Sequence, residues 1–383
     1  MPLFRSFYMG GFECSTQRLR SGKRVDVIAA TQHDKHTQAD YARLQAHGMY
    51  TARSGIRWHL IEPRPYHYDF ASIIPMLQAA QALDMQIIWD LLHYGYPDDL
   101  DPFQPEFVRR FASMVRAFAR VYREVTDQPP FFCPVNEISF FSWGGGDVGY
   151  LNPFALDRGF ELKVQLARAA IEATEAIWSE LPQARIVHAD PVIHIIPQPG
   201  RPEDASITEA YRLAQFEGWD LISGRSWPQI GGDPRYLDII GMNYYSNNQW
   251  FHDEGGTIRL GSPDYRPFRE IAREVFLRYG RPMFIAETGA EDDLRPRWLR
   301  YMATEARALI DEGLPMEGLC LYPILNHPGW DDERHCHNGL WDYCDAAGER
   351  ELCQPYADEL RRQQALHPPA RVRHSEVKRP ALS

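Results

Sequence analysis

The sequence lacks several features that would indicate particular classes of protein. No apolar stretch is long enough to span a bilayer, and we expect no secretory signal segment. No Gly-rich phosphate-binding loop joins a predicted strand to a predicted helix. Basic residues are in deficit, with 41 Lys and Arg against 52 Asp and Glu, for a formal net charge of -11. An acidic chain of this kind argues against a nucleic-acid partner and against an anionic membrane.

Cysteine is scarce and scattered. The six cysteines are Cys14, Cys133, Cys320, Cys336, Cys344 and Cys353. Two of them, Cys133 and Cys320, lie in predicted strands, where a reduced cysteine behaves as a small apolar residue. The pattern therefore predicts a reduced, cytoplasmic protein rather than one held together by disulfides.

Short apolar, β-rich runs alternate with amphipathic stretches along most of the chain. The predicted strands are Phe7–Glu13, Tyr50–Arg57, Gln86–His93, Phe131–Asn136, Arg185–Asp190, Leu237–Tyr244, Met283–Ala286 and Leu319–Leu325. The predicted helices are Gln38–Ala46, Ile73–Leu83, Pro105–Val125, Phe160–Leu181, Ile207–Trp219, Phe268–Tyr279, Arg297–Glu312 and Pro355–Gln364.

Eight strands, each followed by a helix, predict an α/β fold of the (β/α)8 TIM-barrel type, as a single domain over residues 1–366. A doubly wound open sheet is the alternative, but it does not usually need eight units. Long loops are predicted after strands 4, 6 and 8, where they would shape access to a site. The remaining residues, 367–383, are rich in Pro, Arg and Ser and are predicted to form a disordered tail.

Two glutamates are the most informative residues, because each follows an apolar run that reads as a buried strand. Glu137 ends the run that begins at Phe131, and Glu287 ends the run that begins at Pro282. A carboxylate is costly to bury without partners, and the C-terminal ends of barrel strands carry the chemistry of this fold. Two carboxylates that face each other there are what retaining hydrolysis of a glycoside requires.

Other polar residues occur in the predicted strands in a fixed order. They are Arg53 in the second strand, His93 at the end of the third, Asn136 before Glu137, and Asn243 and Tyr245 at the end of the sixth. The segments Arg53-Ser54-Gly55-Ile56-Arg57-Trp58, Asn136-Glu137, Gly241-Met242-Asn243-Tyr244-Tyr245 and Glu287-Thr288-Gly289 resemble motifs of the retaining β-glycosidases of glycoside hydrolase family 1, within the clan A barrel glycosidases.

The resemblance implies a role for each of these residues. Glu137 would be the acid/base and Glu287 the nucleophile of a double displacement through a covalent glycosyl-enzyme. Asn136 would bind the 2-hydroxyl of the sugar. Arg53 would lie beside Glu287 and keep it ionised, and Tyr245 would donate a hydrogen bond to the same carboxylate.

Two parts of the motif set are less regular. In the first strand, Gln17 matches the family's sugar-binding Gln, whereas Glu13 lies nearer the predicted strand end, so either residue could contact the sugar. After the eighth strand, Trp330 would still contact the sugar, but Gly329 stands where the family has a Glu that binds the outer hydroxyls. This departure predicts a changed sugar specificity, with Asp331, Asp332 or Arg334 as possible substitutes.

The cluster His327, His335, Cys336, His337 and Cys344 matches no structural zinc spacing, and the resemblance implies neither metal nor cofactor. The sequence therefore predicts a β-glucosidase-like hydrolase that acts on a small carbohydrate or glycoside. The alternatives are a transglycosidase on the same barrel and a non-catalytic carbohydrate-binding protein. Neither the sugar, the aglycone nor the oligomeric state follows from the sequence.

Overall fold

The computed structural model describes residues 2–253 and 255–366, and eight parallel strands in it close into a barrel with the order β1-β8-β7-β6-β5-β4-β3-β2. The strands are β1 Tyr8–Gly11, β2 Thr51–Gly55, β3 Gln86–Asp90, β4 Phe131–Cys133, β5 Arg185–Pro191, β6 Ile239–Asn243, β7 Met283–Thr288 and β8 Met316–Leu321. The predicted (β/α)8 TIM barrel is thereby confirmed. The predicted tail, residues 367–383, lies outside the described residues.

Helices of six or more residues follow every strand of the barrel. They are α1 His33–Ala46, α2 Ile74–Ala82, α3 Pro105–Val125, α4 Gly159–Glu180, α5 Ala205–Leu213, α6 Glu217–Ile222, α7 Phe268–Tyr279, α8 Arg295–Asp311 and α9 Gln354–Leu366. The bounds predicted for α3 and α7 are confirmed. The single helix predicted over Ile207–Trp219 is wrong, because a 3-10 turn at Ala214–Phe216 separates α5 from α6.

The predicted strands differ most from the structure at their C-terminal ends. The fourth strand pairs only from Phe131 to Cys133, and residues 134–137 lie beyond the ladder. The eighth strand begins at Met316 and ends at Leu321, earlier at both ends than predicted. Apolar content continues past the last ladder bond in both cases, so hydropathy could not locate the ends.

Apolar side chains fill the barrel interior below the strand ends. They are Phe4, Met9, Ile88, Phe131, Cys133, Val187, Ala189, Ile239, Phe284, Ala286, Cys320 and Tyr322. A larger apolar layer lies between the strands and the surrounding helices, and it includes the face of α3 from Phe107 to Tyr122. This packing gives the strand ends a rigid base on which polar side chains can be positioned.

The three predicted long connections contain short elements of their own. A helix at Ile138–Ser142 and a π-helical turn at Trp143–Asp147 follow β4. Strand Gln249–Phe251, after β6, pairs in parallel with His194–Ile196. Two hairpins follow β8, as described below. No helix among residues 2–253 and 255–366 is long and apolar enough to cross a membrane.

Candidate active site

A cavity of ≈ 1190 Å³ opens at the C-terminal end of the barrel. Six of the sequence-predicted site residues line it: Glu13, His93, Glu137, Tyr245, Glu287 and Trp330. The connections after β4, β6 and β8 supply much of its wall, with residues such as Trp143, Trp250 and Asp331. The long loops therefore shape the cavity as the sequence predicted.

Glu137 occupies the turn between β4 and the helix Ile138–Ser142. Its backbone is left-handed (φ 52°), and its N–H donates to the carbonyl of Ala189 at 2.8 Å. Tyr94 Oη donates to one carboxylate oxygen, and Asn243 Nδ2 donates to the other at 2.8 Å. Burial and the negative charge of Glu287 raise the pKa of Glu137 to about 8, despite these donors. Burial and the neighbouring charge therefore favour the protonated form of this side chain.

A β-bulge positions Glu287. Ile285 pairs with Met242, but Asn243 pairs with Glu287, so the register shifts by one residue at this point of β7. Arg53 Nη1 donates to Glu287 Oε1 at 3.2 Å, and Tyr245 Oη donates to Oε2 at 2.9 Å. Burial raises the pKa of Glu287, while the charges of Arg53 and His93 oppose the rise. Of the two carboxyls only Glu287 has an arginine within hydrogen-bonding distance in the described chain, so Glu137 holds the shared proton.

Arg53 is fully buried and binds three polar groups in addition to Glu287. Its Nη2 donates to Asp90 Oδ2 at 2.7 Å and to Asn136 Oδ1 at 3.1 Å, and its Nη1 donates to the carbonyl of Ala286 at 2.7 Å. Burial opposes ionisation of Asp90, but Arg53 and His93 hold the pKa of that carboxyl below its usual value. Arg53 thus compensates two buried carboxylates at once.

Replacing Arg53 by Met should strongly destabilise the protein. The variant leaves Asp90 and Glu287 buried without their shared cation, and we expect the free energy of unfolding to fall by about 3–5 kcal/mol. Urea unfolding followed by far-UV circular dichroism measures this change. Arg109→Met is the control, because Arg109 forms an exposed pair with Glu106 on α3 and its removal should leave the unfolding midpoint unchanged. Equal midpoints for the two variants would contradict the assigned role of Arg53.

His93 and Glu13 lie together on one side of the cavity. His93 Nδ1 bonds to Asp90 Oδ2 at 3.1 Å, and its Nε2 lies 3.2 Å from Asn136 Nδ2 and 3.6 Å from Glu13 Oε1. Burial lowers the pKa of His93, but the surrounding Cys14, Asp90 and Glu13 raise it well above its usual value. An imidazolium here lies within ion-pair distance of both Asp90 and Glu13.

Gln17 is buried and does not line the cavity, so of the two alternatives in the first strand only Glu13 faces it. Asn136, Asn243 and Arg53 also lie behind the cavity wall, where they bond to one another or to the two glutamates. The predicted contact of Asn136 with a sugar hydroxyl stays a prediction.

The loop after β8 places Trp330 at the cavity, with its ring 5.5 Å from that of Tyr94. The Asp332 carboxylate lies directly against Gly329, in the space that a side chain at position 329 would take. Arg334, also at the cavity, forms a two-bond pair with Glu291 at 2.6 and 2.7 Å. Of the two predicted substitutes, Asp332 thus lies nearer to the space beside Gly329 that a side chain there would occupy.

Three residues of this region were missed from the sequence. Asp90 and Asp190 follow apolar strand residues as the two glutamates do, so the same signal could have identified them. Asp190 accepts from the N–H and hydroxyl of Ser139 at 2.9 and 2.7 Å, and it fixes the helix that begins beside Glu137. Tyr94, the donor to Glu137, carries no sequence signal beyond its place after His93.

Carboxylates dominate the charge of the cavity wall, with nine Asp or Glu against two Lys or Arg. Both of these basic side chains are paired, Arg334 with Glu291 and Lys163 with Glu217.

The buried group Cys14, Asp90 and His93 has ligand atoms within 4.8 Å of one another, but the Arg53 guanidinium already binds Asp90 there. This group is therefore a hydrogen-bonded network around a fixed cation.

The fold and the cavity together define a (β/α)8 barrel whose C-terminal face carries two buried, electrostatically coupled carboxyls. Solved structures share this architecture. The AHE enzyme from Alicyclobacillus herbarius matches with a TM-score of 0.77 and 17% identity, over 96% of this chain and 99% of that one. A family 1 β-glucosidase from Thermotoga maritima matches with 0.75 and 16%, over 93% and 96%.

The Thermotoga maritima β-glucosidase in complex with glucoimidazole gives a TM-score of 0.74 and 16% identity, over 94% of this chain and 98% of that one. No protein-family model and no curated protein matches the sequence. At these identities the likeness shows the fold.

Proposed function

We propose that this protein is a retaining β-glycosidase that cleaves O-glycosidic bonds by double displacement. The observation that carries the proposal is the pair of buried carboxyls at the ends of β4 and β7, which line one cavity and differ in their partners. Glu287 is bound by a guanidinium and a phenol, whereas Glu137 is coupled to it and keeps its proton. The family resemblance of the surrounding motifs and the fold of the Thermotoga maritima β-glucosidase support the same reading.

In the first step Glu287 attacks the anomeric carbon while Glu137 gives its proton to the leaving oxygen. The bond from Glu287 to carbon forms as the glycosidic bond breaks, and the aglycone departs as an alcohol. The bonds from Arg53 and Tyr245 keep Glu287 ionised and fix its orientation for attack. The negative cavity wall favours the cationic, oxocarbenium-like transition state over the neutral substrate.

In the second step water releases the sugar. Esterification of Glu287 removes the negative charge that raised the pKa of Glu137, so Glu137 becomes a stronger acid and rests as a carboxylate. That carboxylate takes a proton from water as the water oxygen attacks the anomeric carbon and Glu287 leaves. Both glutamates regain their starting protonation states.

The cavity favours neutral or cationic substrates larger than one sugar. Its volume of ≈ 1190 Å³ exceeds that of most small-molecule sites, about 300–1,000 Å³. Since its Lys and Arg side chains are both paired, and His93 is paired with Asp90 and Glu13, a phosphorylated sugar would meet carboxylates without a free cation. With Asp332 in place of the family's glutamate, the preferred sugar differs from plain glucose.

A panel of aryl β-glycosides tests the proposal, with proton NMR to follow the anomeric configuration of the first product. We expect hydrolysis with retention, no cleavage of 6-phospho-glycosides, and a sugar other than glucose as the best substrate. Inversion would contradict the double displacement, and failure with every β-glycoside would favour the non-catalytic alternative. A transglycosidase would instead transfer the sugar to added acceptors faster than to water.

Replacing Glu13 by Gln should weaken sugar binding without removing the catalytic pair. A neutral amide in place of the carboxylate loses a charged hydrogen bond, and we expect kcat/KM to fall about tenfold or more. Gln17→Met is the matched comparison, because Gln17 does not line the cavity and its loss should leave kcat/KM within about twofold. A large fall in kcat/KM in Gln17→Met with little change in Glu13→Gln would assign the sugar contact to Gln17.

A further inference from the structure

Two imidazoles and a carboxylate meet on the outer side of the loop that follows β8. His335, His337 and Asp342 each offer one ligand atom, and these atoms lie within 4.8 Å of one another. His335 Nε2 bonds to Asp342 Oδ1 at 2.7 Å. None of the three lines the cavity, so the group is separate from the proposed catalytic site.

This group differs from the cluster seen in the sequence. His335 and His337 stack on each other, whereas Cys336 between them is buried and lines the cavity. His327 is occupied elsewhere, with its Nε2 3.0 Å from Asn338 Nδ2. The third ligand, Asp342, comes from the neighbouring hairpin and could not be recognised from spacing.

Neighbouring groups fix the positions of His335 and Asp342. The rings of His335 and His337 stack at 4.3 Å with an angle of 10°, and Tyr343 stacks on the other face of His335 at 4.3 Å. Asp342 also accepts from the N–H of Tyr343 at 2.7 Å, which fixes its carboxylate. Packing and outer hydrogen bonds of this kind orient metal ligands in proteins.

From this arrangement we infer that His335, His337 and Asp342 form a binding site for one divalent transition-metal ion of the Zn²⁺ type. Two imidazole nitrogens and one carboxylate oxygen suit Zn²⁺, with water as the fourth ligand, and they do not suit Mg²⁺ or Ca²⁺, which prefer oxygen alone. Binding replaces the bond between His335 and Asp342 with two bonds to the ion, and His335 Nε2 binds without its proton.

Binding requires the ring of His337 to turn, because a metal ion lies in the plane of each imidazole that binds it and the two rings stack face to face. Two nitrogen ligands of a tetrahedral zinc lie about 3.4 Å apart, since each Zn–N bond is about 2.1 Å, whereas the ligand atoms here lie within 4.8 Å of one another. His337 is exposed, so its side chain can close the remaining gap.

The ion would add a link between two neighbouring hairpins. Strand His335–Cys336 pairs with His327–Pro328, and strand Trp341–Cys344 pairs with Arg350–Leu352. The first hairpin encloses Trp330, so an occupied site would stabilise one wall of the cavity.

Zinc binding to the full chain tests the inference. After EDTA treatment and desalting, ZnCl2 is titrated by calorimetry and by thermal unfolding into wild type, His337→Gln and Asp342→Asn. We expect one equivalent of zinc, a melting temperature raised by at least about 2 °C, and affinity lowered at least about tenfold in both variants. His67→Gln, at an exposed histidine elsewhere, should bind as wild type does, and MgCl2 should cause no shift.

Unchanged affinity in His337→Gln and Asp342→Asn would overturn the inference. Loss of binding in Cys344→Ser with retention in His337→Gln would overturn it as well, since it would assign the zinc to a thiol. Because the readout is binding, the result is independent of whether the protein hydrolyses any glycoside.

Discussion

Replacing Glu287 by Gln should abolish turnover of every β-glycoside that the protein cleaves. The amide keeps the shape of the side chain and its contacts with Arg53 and Tyr245, but it cannot form the covalent bond to carbon. We expect kcat to fall by at least about 10⁴-fold. Steady-state kinetics with an activated aryl glycoside measures the loss, and thermal unfolding checks that the variant is folded.

The assignment of Glu287 as the nucleophile can also be tested by trapping the covalent glycosyl-enzyme with a 2-fluoro glycoside. Wild type should gain the mass of one fluorosugar, and peptide mapping should place it on Glu287. Glu287→Gln should gain none. Glu312→Gln serves as the control, because Glu312 lies in an exposed pair with Arg273 and its loss should change neither kcat nor labelling. A label on another residue would refute the assignment of the nucleophile.

Replacing Glu137 by Gln should give a loss that depends on the leaving group. A poor leaving group needs the proton of Glu137, so we expect kcat/KM to fall about 10²–10⁴-fold for alkyl glycosides. A dinitrophenyl group departs without that proton, so its rate of release should change little. Uniform loss across both classes would argue that Glu137 acts in binding rather than in proton transfer.

The pH profile of kcat/KM follows from the same pair. The first step needs protonated Glu137 and ionised Glu287. Activity should therefore fall as the pH rises through about 8, the pKa of Glu137, and also as the pH falls through the raised pKa of Glu287. In Glu137→Gln the alkaline limb should disappear while the acidic limb remains. An alkaline limb that persists in this variant would contradict the assigned acid.

Hydrophobic patterning was enough to predict the barrel, because eight buried parallel strands leave eight apolar runs in the sequence. The predicted helix Ile207–Trp219 shows that hydrophobic patterning does not reveal a break in a helix. The apolar face continues through Ala214–Phe216, but the backbone there tightens into a 3-10 turn. Strand ends were uncertain for a related reason, since residues 134–136 remain buried after they leave the ladder.

Side-chain direction at the site could not be read from the sequence. Simple alternation along β7 would turn Ala286 and Glu287 to opposite faces, and only the register shift beside Asn243 brings Glu287 to the cavity. Glu13 and Gln17 were equally plausible because the course of the chain after β1 depends on contacts with β2 and β3. Asp90 was overlooked because its partner, Arg53, is 37 residues away in the sequence.

The two proposed reacting groups are attached to β4 and β7, which are separated in the closed sheet by β5 and β6. The gap between them is thus set by the circumference of an eight-stranded cylinder rather than by any surface segment. Insertions and exchanges around the rim can therefore alter the cavity wall while the spacing of the two glutamates stays the same. The sequence can therefore diverge to the 15–17% identity seen with the solved structures while the barrel that fixes this spacing is kept.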